Sequence, residues 1–191
     1  MTFSIGSKAE ISAIARRGAF LLAALASIIL AGCRDIHRAA RNGYRDEAEA
    51  LLNGNPELVF SKDEEGCTPL HLAARYGHQD MAELLLAHQA KVEAKDHNGF
   101  TPLVDAAAWD HKAVADVLLA HGAEVDARGN HGRTPLHVAA SNGSDDVAEL
   151  LLAHKADVNA TDDEGLTPLH LAVEKEHQAV ADLLRQRGGH E

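Results

Sequence analysis

Histidine is the first residue type in this sequence that suggests chemistry, because it occurs 13 times among 191 residues. Imidazole nitrogens ligate zinc and other transition metals, so a cluster of histidines would favour a metal-dependent enzyme. Nine of the histidines fall on three positions of a 33-residue spacing: His71, His137 and His170; His78, His111 and His177; His88, His121 and His154. If residues 33 positions apart lie on stacked helices, their side chains point the same way from helix axes ~8–10 Å apart. Such histidines form a row along the stack and do not converge on one metal ion. The spacing therefore predicts structural histidines with no metal and no cofactor, and the metal-dependent enzyme is the alternative.

Cysteine and histidine also occur at a spacing that could support nucleophilic catalysis, since Cys67 lies four residues before His71. A base beside a thiol generates the thiolate that attacks a substrate. His137 and His170 occupy the same position of the 33-residue spacing as His71, although the residues that align with Cys67 are Arg133 and Leu166. The spacing therefore explains the presence of His71 without a role for Cys67. The sequence predicts no catalytic residue here, and we expect a protein that is not an enzyme.

A four-residue motif organises the chain from Asp63 to its C-terminus. It recurs at a constant interval, as Thr68–His71, Thr101–Val104, Thr134–His137 and Thr167–His170. The 33-residue period and the sequence T-P-L-H resemble the ankyrin repeat, in which each unit is a turn followed by two helices. The resemblance implies an all-α repeat solenoid of four full 33-residue units. A degenerate capping unit in residues 35–62, which lacks the Thr-Pro pair, is expected to precede them.

Each unit also carries local signals for its two helices. Thr68 can cap the first helix with its hydroxyl, and Pro69 fits the first helical turn. Gly77 can end that helix in the left-handed conformation. Asp110 and Glu176 replace this glycine in the second and fourth units, and aspartate tolerates the left-handed conformation better than glutamate does.

The N-terminal segment, up to Cys33, has the pattern of an export signal. A pair of arginines precedes an uncharged, largely apolar run over residues 18–32, which is shorter than the ~20 residues of a spanning helix. The run ends in Leu-Ala-Gly followed by Cys33, which resembles the lipobox of bacterial lipoproteins. The resemblance implies a signal peptide in residues 1–32, a lipid attached to Cys33, and an ankyrin-repeat domain in residues 33–191.

The residue after the cysteine bears on location. In the lipoproteins that this segment resembles, aspartate at that position retains many members in the inner membrane, whereas this chain has Arg34. The resemblance implies a periplasm-facing protein in the bacterial cell envelope, held to the outer membrane by its lipid alone. Two alternatives stay open: an uncleaved short membrane anchor, and a cytosolic ankyrin adaptor with a hydrophobic N-terminus.

The charge balance restricts the partners. The net charge is −11, and setting aside Lys8, Arg16, Arg17 and Glu10 of residues 1–32 leaves 15 basic and 28 acidic residues. A surface this acidic repels phosphate backbones, which disfavours nucleic-acid binding. It accelerates encounter with basic proteins instead.

The variable positions of the repeats supply a candidate binding surface. In ankyrin-repeat proteins, partners usually dock on the turn tips and on the exposed face of the first helices. Carried over to this chain, the resemblance implies partner-binding roles for Arg75, Tyr76, His97, Phe100, Trp109, His131 and Arg133. Aromatic residues beside arginine have the composition of binding hot spots, although singly exposed aromatics are also common. We expect a monomeric protein-interaction scaffold whose partner is another protein, such as a basic protein or an exported enzyme.

Overall fold

The computed structural model describes residues 36–191, which form helices and turns with no strand among them. The N-terminal unit contains α1 (residues 36–42), α2 (Arg45–Gly54) and a 3₁₀ helix (Pro56–Phe60). The first, second, third and fourth full units cover residues 63–95, 96–128, 129–161 and 162–191, and each holds a pair of helices. These pairs are α3 (Pro69–Arg75) and α4 (Gln79–Ala87), α5 (Pro102–Ala108) and α6 (Lys112–Ala120), α7 (Pro135–Asn142) and α8 (Asp145–Ala153), and α9 (Pro168–Glu174) and α10 (Gln178–Gln186).

The helices stack in two rows, which confirms the all-α repeat solenoid. The first helices α3, α5, α7 and α9 pack on one another in order, and the second helices do the same behind them. One continuous core lies between the rows, and the fully buried leucines recur in it from unit to unit: Leu70, Leu103 and Leu136 in the first row, Leu85, Leu118 and Leu151 in the second. Each unit buries its apolar face only against its neighbours.

The Thr-Pro-Leu-His motif joins each unit to the next. The backbone N–H of Thr68 donates to Nδ1 of His71 at 3.1 Å, so Nδ1 is unprotonated and Nε2 carries the hydrogen. Nε2 donates to the carbonyl of Phe100 in the following unit at 3.0 Å. Since burial also lowers the pKa of His71, the imidazole is a neutral bridge between units.

The residue after the first helix of a unit has a left-handed backbone conformation, and the next unit determines how much space its side chain has. Gly77 has φ 73°, and a Cβ placed on it would lie 2.7 Å from the His111 ring of the next unit. Asp110 occupies the equivalent position with φ 56°, and the next unit has the smaller Ser144 there. Asp110 Oδ1 instead accepts a hydrogen bond from the N–H of Val147 in the first turn of α8, at 2.9 Å.

Two sequence predictions fall on the segment before the solenoid. The proposed signal peptide in residues 1–32 and the proposed lipid-bearing Cys33 lie outside the described residues. Within residues 36–191, no helix is both long and apolar enough to cross a membrane.

Candidate protein-binding face

Two aromatic residues stand on the surface at equivalent positions of neighbouring units. Tyr76 is the C-cap of α3 and Trp109 is the C-cap of α5, and these two helices pack directly on each other. The exposed fraction is 47 % for Tyr76 and 61 % for Trp109. The third and fourth units have Asn142 and Lys175 at this position. We call the surface formed by Tyr76, Trp109 and the ends of α3 and α5 the aromatic face.

Phe100 occupies a different environment from these two residues. It is half-buried, and its ring lies against the backbone of Gly129 in the following unit, so closely that a Cβ on Gly129 would be 2.5 Å from the ring. Its carbonyl accepts the hydrogen bond from His71 described above. Phe100 therefore packs two units together, which the sequence pattern alone does not indicate.

Arg75 lies at the centre of a polar cluster beside the aromatic face. Its Nε donates to Oδ1 of Asp105 in α5 at 3.1 Å, and its Nη1 donates to Glu65 at 3.0 Å. Its Nη2 lies 3.3 Å from the sulfur of buried Cys67. Although burial opposes its charge, Asp105 and Glu65 raise the pKa of Arg75. Arg75 thus has two carboxylate partners within its own chain.

Asp105 is the member of this cluster that the sequence analysis missed. It is 6 % exposed and occupies the position where the other units have Leu72, Val138 and Leu171. Its Oδ2 is buried without a hydrogen-bond partner. Burial raises the pKa of Asp105 to about 7, against the opposing effect of Arg75. The 33-residue alignment contained the signal for it, since it shows one aspartate among aliphatic residues.

A second unpartnered atom lies in the same unit. Thr101 Oγ1 is buried without a hydrogen-bond partner, because Val104 replaces the histidine that serves Thr68 and Thr134 in their units. Buried polar atoms of this kind are uncommon in folded proteins. Among the described residues, two buried side-chain polar atoms have no hydrogen-bond partner, and both belong to α5 or to its N-cap.

Arg133 also pairs with a buried carboxylate of the following unit, since its Nε donates to Oδ2 of Asp162 at 3.2 Å. Burial opposes the ionisation of Asp162, yet hydrogen bonds from the N–H groups of Leu166 and Glu164 and from Arg133 keep its pKa below the usual value. Unlike Asp105, this carboxylate has a donor on both oxygens.

The turn tips form a continuous edge. The N–H of His97 donates to Glu65 O, the N–H of Asn130 donates to Asn98 O, and the N–H of Asp163 donates to His131 O, each at 2.9–3.1 Å. His97 and His131 are both exposed on this edge. The tips therefore carry accessible imidazoles on a backbone that neighbouring units hold in place.

The residues that raised the possibility of catalysis have structural contacts. Nε2 of His78, His111 and His177 donates to the carbonyl of Arg41, Arg75 and Ser141, respectively, in the preceding unit. Burial raises the pKa of the Cys67 thiol to about 12, so it does not form a thiolate at neutral pH. Among residues 36–191, no group of three or more histidine, cysteine, aspartate or glutamate side chains is placed to hold a metal ion.

Comparison with known proteins agrees with this architecture. A family model for three copies of the ankyrin repeat matches residues 36–129, a model for many copies matches residues 118–172, and a single-repeat model matches residues 164–190. A search of the curated proteins found no match. The three matches together span residues 36–190, so the chain belongs to the ankyrin-repeat family, and its repeats indicate a protein–protein interaction scaffold.

Proposed function

We propose that this protein recognises a partner protein through the aromatic face. The exposure of Tyr76 and Trp109 on two directly packed helices is the observation that carries the proposal. Tyrosine and tryptophan bury a large area on binding and lose little conformational entropy, so they dominate many interfaces. An aromatic residue at this position is not required for stacking, because the third and fourth units stack in the same way with Asn142 and Lys175 there.

The partner presents basic side chains to this face. The region from residue 33 onward contains 28 acidic and 15 basic residues, so its field attracts positive charge. Glu64 lies exposed at the tip of the first full unit, next to Glu65, which already neutralises Arg75. A lysine or arginine of the partner can also lie over the indole of Trp109, a contact that stabilises a complex by ~0.5–2 kcal/mol.

The test compares equivalent positions of different units. The wild-type protein recovers the partner from the envelope of the source cells, mass spectrometry identifies it, and calorimetry with the purified partner measures affinity. We expect Trp109→Ala to weaken binding by ~2 kcal/mol, about 30-fold, and Tyr76→Ala to weaken it by a smaller factor. Asn142→Ala and Lys175→Ala are the matched controls and should bind as wild type.

Denaturant unfolding of the same variants separates binding from folding. Since the aromatic residues are exposed, Trp109→Ala should leave the free energy of unfolding within ~0.5 kcal/mol of the wild-type value. Unchanged affinity in both aromatic variants would refute the proposed face. Equal losses in the aromatic variants and in the two controls would show that binding is spread along the solenoid instead.

We also propose that the scaffold is anchored in the bacterial envelope through a lipid on Cys33, facing the periplasm from the outer membrane. The apolar run over residues 18–32 and the Leu-Ala-Gly-Cys sequence that ends it support this location. Radiolabelled palmitate should enter the wild-type protein in bacteria, and it should not enter Cys33→Ser. Cys67→Ser is the matched control, because its thiol is buried in the solenoid. Absence of label from the wild-type protein contradicts the anchor without affecting the proposed binding face.

A further inference from the structure

A buried carboxylate lies one helical turn from the most exposed aromatic residue of the aromatic face. Asp105 lies on α5, four residues before the C-cap Trp109, and this spacing places the two residues on the same side of the helix. Asp105 is 6 % exposed, whereas Trp109 is 61 % exposed. The carboxylate therefore lies beneath the surface that carries the indole.

The two oxygens of Asp105 have unequal environments. Oδ1 accepts from Arg75 Nε at 3.1 Å, whereas Oδ2 is enclosed by the protein and receives no hydrogen bond. An ionised carboxylate needs donors on both oxygens to compensate for lost hydration. A proton on Oδ2 lowers this cost, because a neutral carboxyl loses less hydration on burial than a carboxylate does, and it leaves Oδ1 as the acceptor for Arg75.

Arg75 is the nearest charged group to Asp105, but two carboxylates lie farther out. From the first full unit, Arg75 contacts it directly, Glu65 pairs with another nitrogen of the arginine, and the thiol of Cys67 is neutral. Asp96, in the turn of its own unit, adds a further negative charge. Burial is the largest effect, and together these groups raise the pKa of Asp105 to about 7 even though Arg75 opposes the shift.

The other helices that pack on α5 bring no second cation to this carboxylate. On α7, His137 directs its ring to Thr134 and to the carbonyl of Leu166. On α6, Lys112 pairs with Asp146 of α8 at the surface. The remaining charged residues of these helices are exposed, and they are Asp116, Asp145 and Glu149. His111 precedes α6 and donates to the backbone carbonyl of Arg75.

We propose that Asp105 takes up a proton under mildly acidic conditions and thereby changes the charge that the aromatic face presents to its partner. In the ionised state, Asp105 and Glu65 together outweigh the charge of Arg75. In the protonated state only Glu65 balances it, and the face loses one negative charge beside Tyr76 and Trp109. A basic partner then binds less tightly. This regulation rests on the proposed binding function, whereas the protonation itself is a property of the isolated protein.

The test uses Trp109, which is the single tryptophan of the chain, as a probe of local charge. Iodide and acrylamide quench its fluorescence, and the ratio of their quenching constants reports the charge around the indole independently of its exposure. At low ionic strength, we expect this ratio to rise about 1.5-fold between pH 8 and pH 5.5 in the wild-type full chain, with a midpoint near the pKa of Asp105.

Asp105→Asn keeps the shape of the side chain and cannot ionise. The difference between the wild-type and variant curves therefore isolates the charge change of Asp105 from charge changes elsewhere in the protein. We expect its quenching ratio to change less than that of wild type across this pH range. Asp105→Leu, which restores the residue found in α3 and α9, provides the same comparison if the asparagine variant is unstable. Wild-type and variant curves that superimpose between pH 5.5 and pH 8 overturn the inference.

Folding stability supplies a second readout. Because the folded protein binds the Asp105 proton more tightly than the unfolded chain does, the free energy of unfolding should fall as pH rises from about 4 to about 7. The decrease should be smaller in Asp105→Asn, and equal slopes would overturn the inference.

Once a partner is purified, its affinity for wild type should weaken about 3- to 10-fold from pH 8 to pH 6, whereas its affinity for Asp105→Asn should change less. If Trp109→Ala leaves affinity unchanged while the quenching difference is observed, the proposed binding face fails but the protonation stands.

Discussion

The second and third full units have the same length, an equivalent pair of helices and equivalent buried leucines, yet their contacts with the following unit differ. In the third unit, His137 bridges Thr134 to the carbonyl of Leu166, and Gly143 lies under the His177 ring. In the second unit, Val104 forms no such bridge. Its left-handed residue is Asp110, which caps α8 instead of receiving a histidine ring.

The difference shows which features the fold requires. In the third unit every buried side-chain polar atom has a hydrogen-bond partner, and the exposed residue at the end of its first helix is Asn142. The second unit leaves Thr101 Oγ1 and Asp105 Oδ2 without partners and exposes Trp109. Departures from the stacking pattern that cost stability are expected at functional sites. Their concentration in one unit is consistent with a binding role for that unit.

The largest effect should come from the core, where the two units are alike. Leu118→Ala and Leu151→Ala each remove a fully buried side chain at equivalent positions, so each should reduce the free energy of unfolding by ~2–5 kcal/mol. Urea denaturation followed by circular dichroism measures both. A loss at Leu118 much smaller than the loss at Leu151 would show that the core of the second unit is loosely packed, which contradicts the equivalence.

The histidine bridge should give the next effect. His137→Val leaves Thr134 without its partner and removes the bond to the Leu166 carbonyl, so we expect a loss of ~1–3 kcal/mol. The reverse change, Val104→His, should stabilise the second unit by ~0.5–1.5 kcal/mol because it provides a partner for Thr101 Oγ1. Destabilisation by Val104→His would mean that the second unit has no room for the imidazole.

The left-handed glycine should give a smaller effect. Gly77→Ala should cost ~1–2 kcal/mol from its positive φ alone, with an added cost because the His111 ring must move. Gly122→Ala is the matched control, since Gly122 has φ 86° but no atom within 4 Å of the position that a Cβ would take. Equal losses of unfolding free energy in the two variants would show that the histidine ring does not restrict this position.

The smallest effect should come from the surface ion pair that links the two units. Lys112 Nζ lies 3.3 Å from Asp146, and both side chains are about half exposed. Lys112→Ala should change the free energy of unfolding by ~0–1 kcal/mol, and high salt should reduce that difference. A double-mutant cycle with Asp146→Ala isolates the pair, and a coupling energy well above ~1 kcal/mol would show that the pair is a major contact between units.

Much of the fold is readable from residues close together in the chain. Thr68 and Pro69 predict the start of α3, and the structure begins this helix at Pro69 with Thr68 as its N-cap. Asp110 and Glu176, which replace the glycine of the other units, both adopt the left-handed conformation, with φ values of 56° and 62°. These features follow from short-range capping and backbone sterics, which the local sequence contains.

The candidate site is less accessible to sequence reasoning. The variable positions correctly predict that Tyr76 and Trp109 are exposed, but they do not reveal that Phe100 packs on Gly129 or that Arg75 pairs with Asp105. Each of these contacts joins one unit to the next, nearly a full repeat apart along the chain. A contact at that separation depends on the register of stacking and on the side-chain rotamers.

The 33-residue period, the capping threonines and the leucine lattice were therefore sufficient to specify a stack of helix pairs, since each of these signals acts within one unit or repeats in the next. The burial of Asp105 depends on the packed solenoid, because α3 and α5 must lie side by side before Arg75 can reach the carboxylate and before its second oxygen loses water. Desolvation is a property of all the atoms around a group, and for this carboxylate those atoms come from two units of the chain.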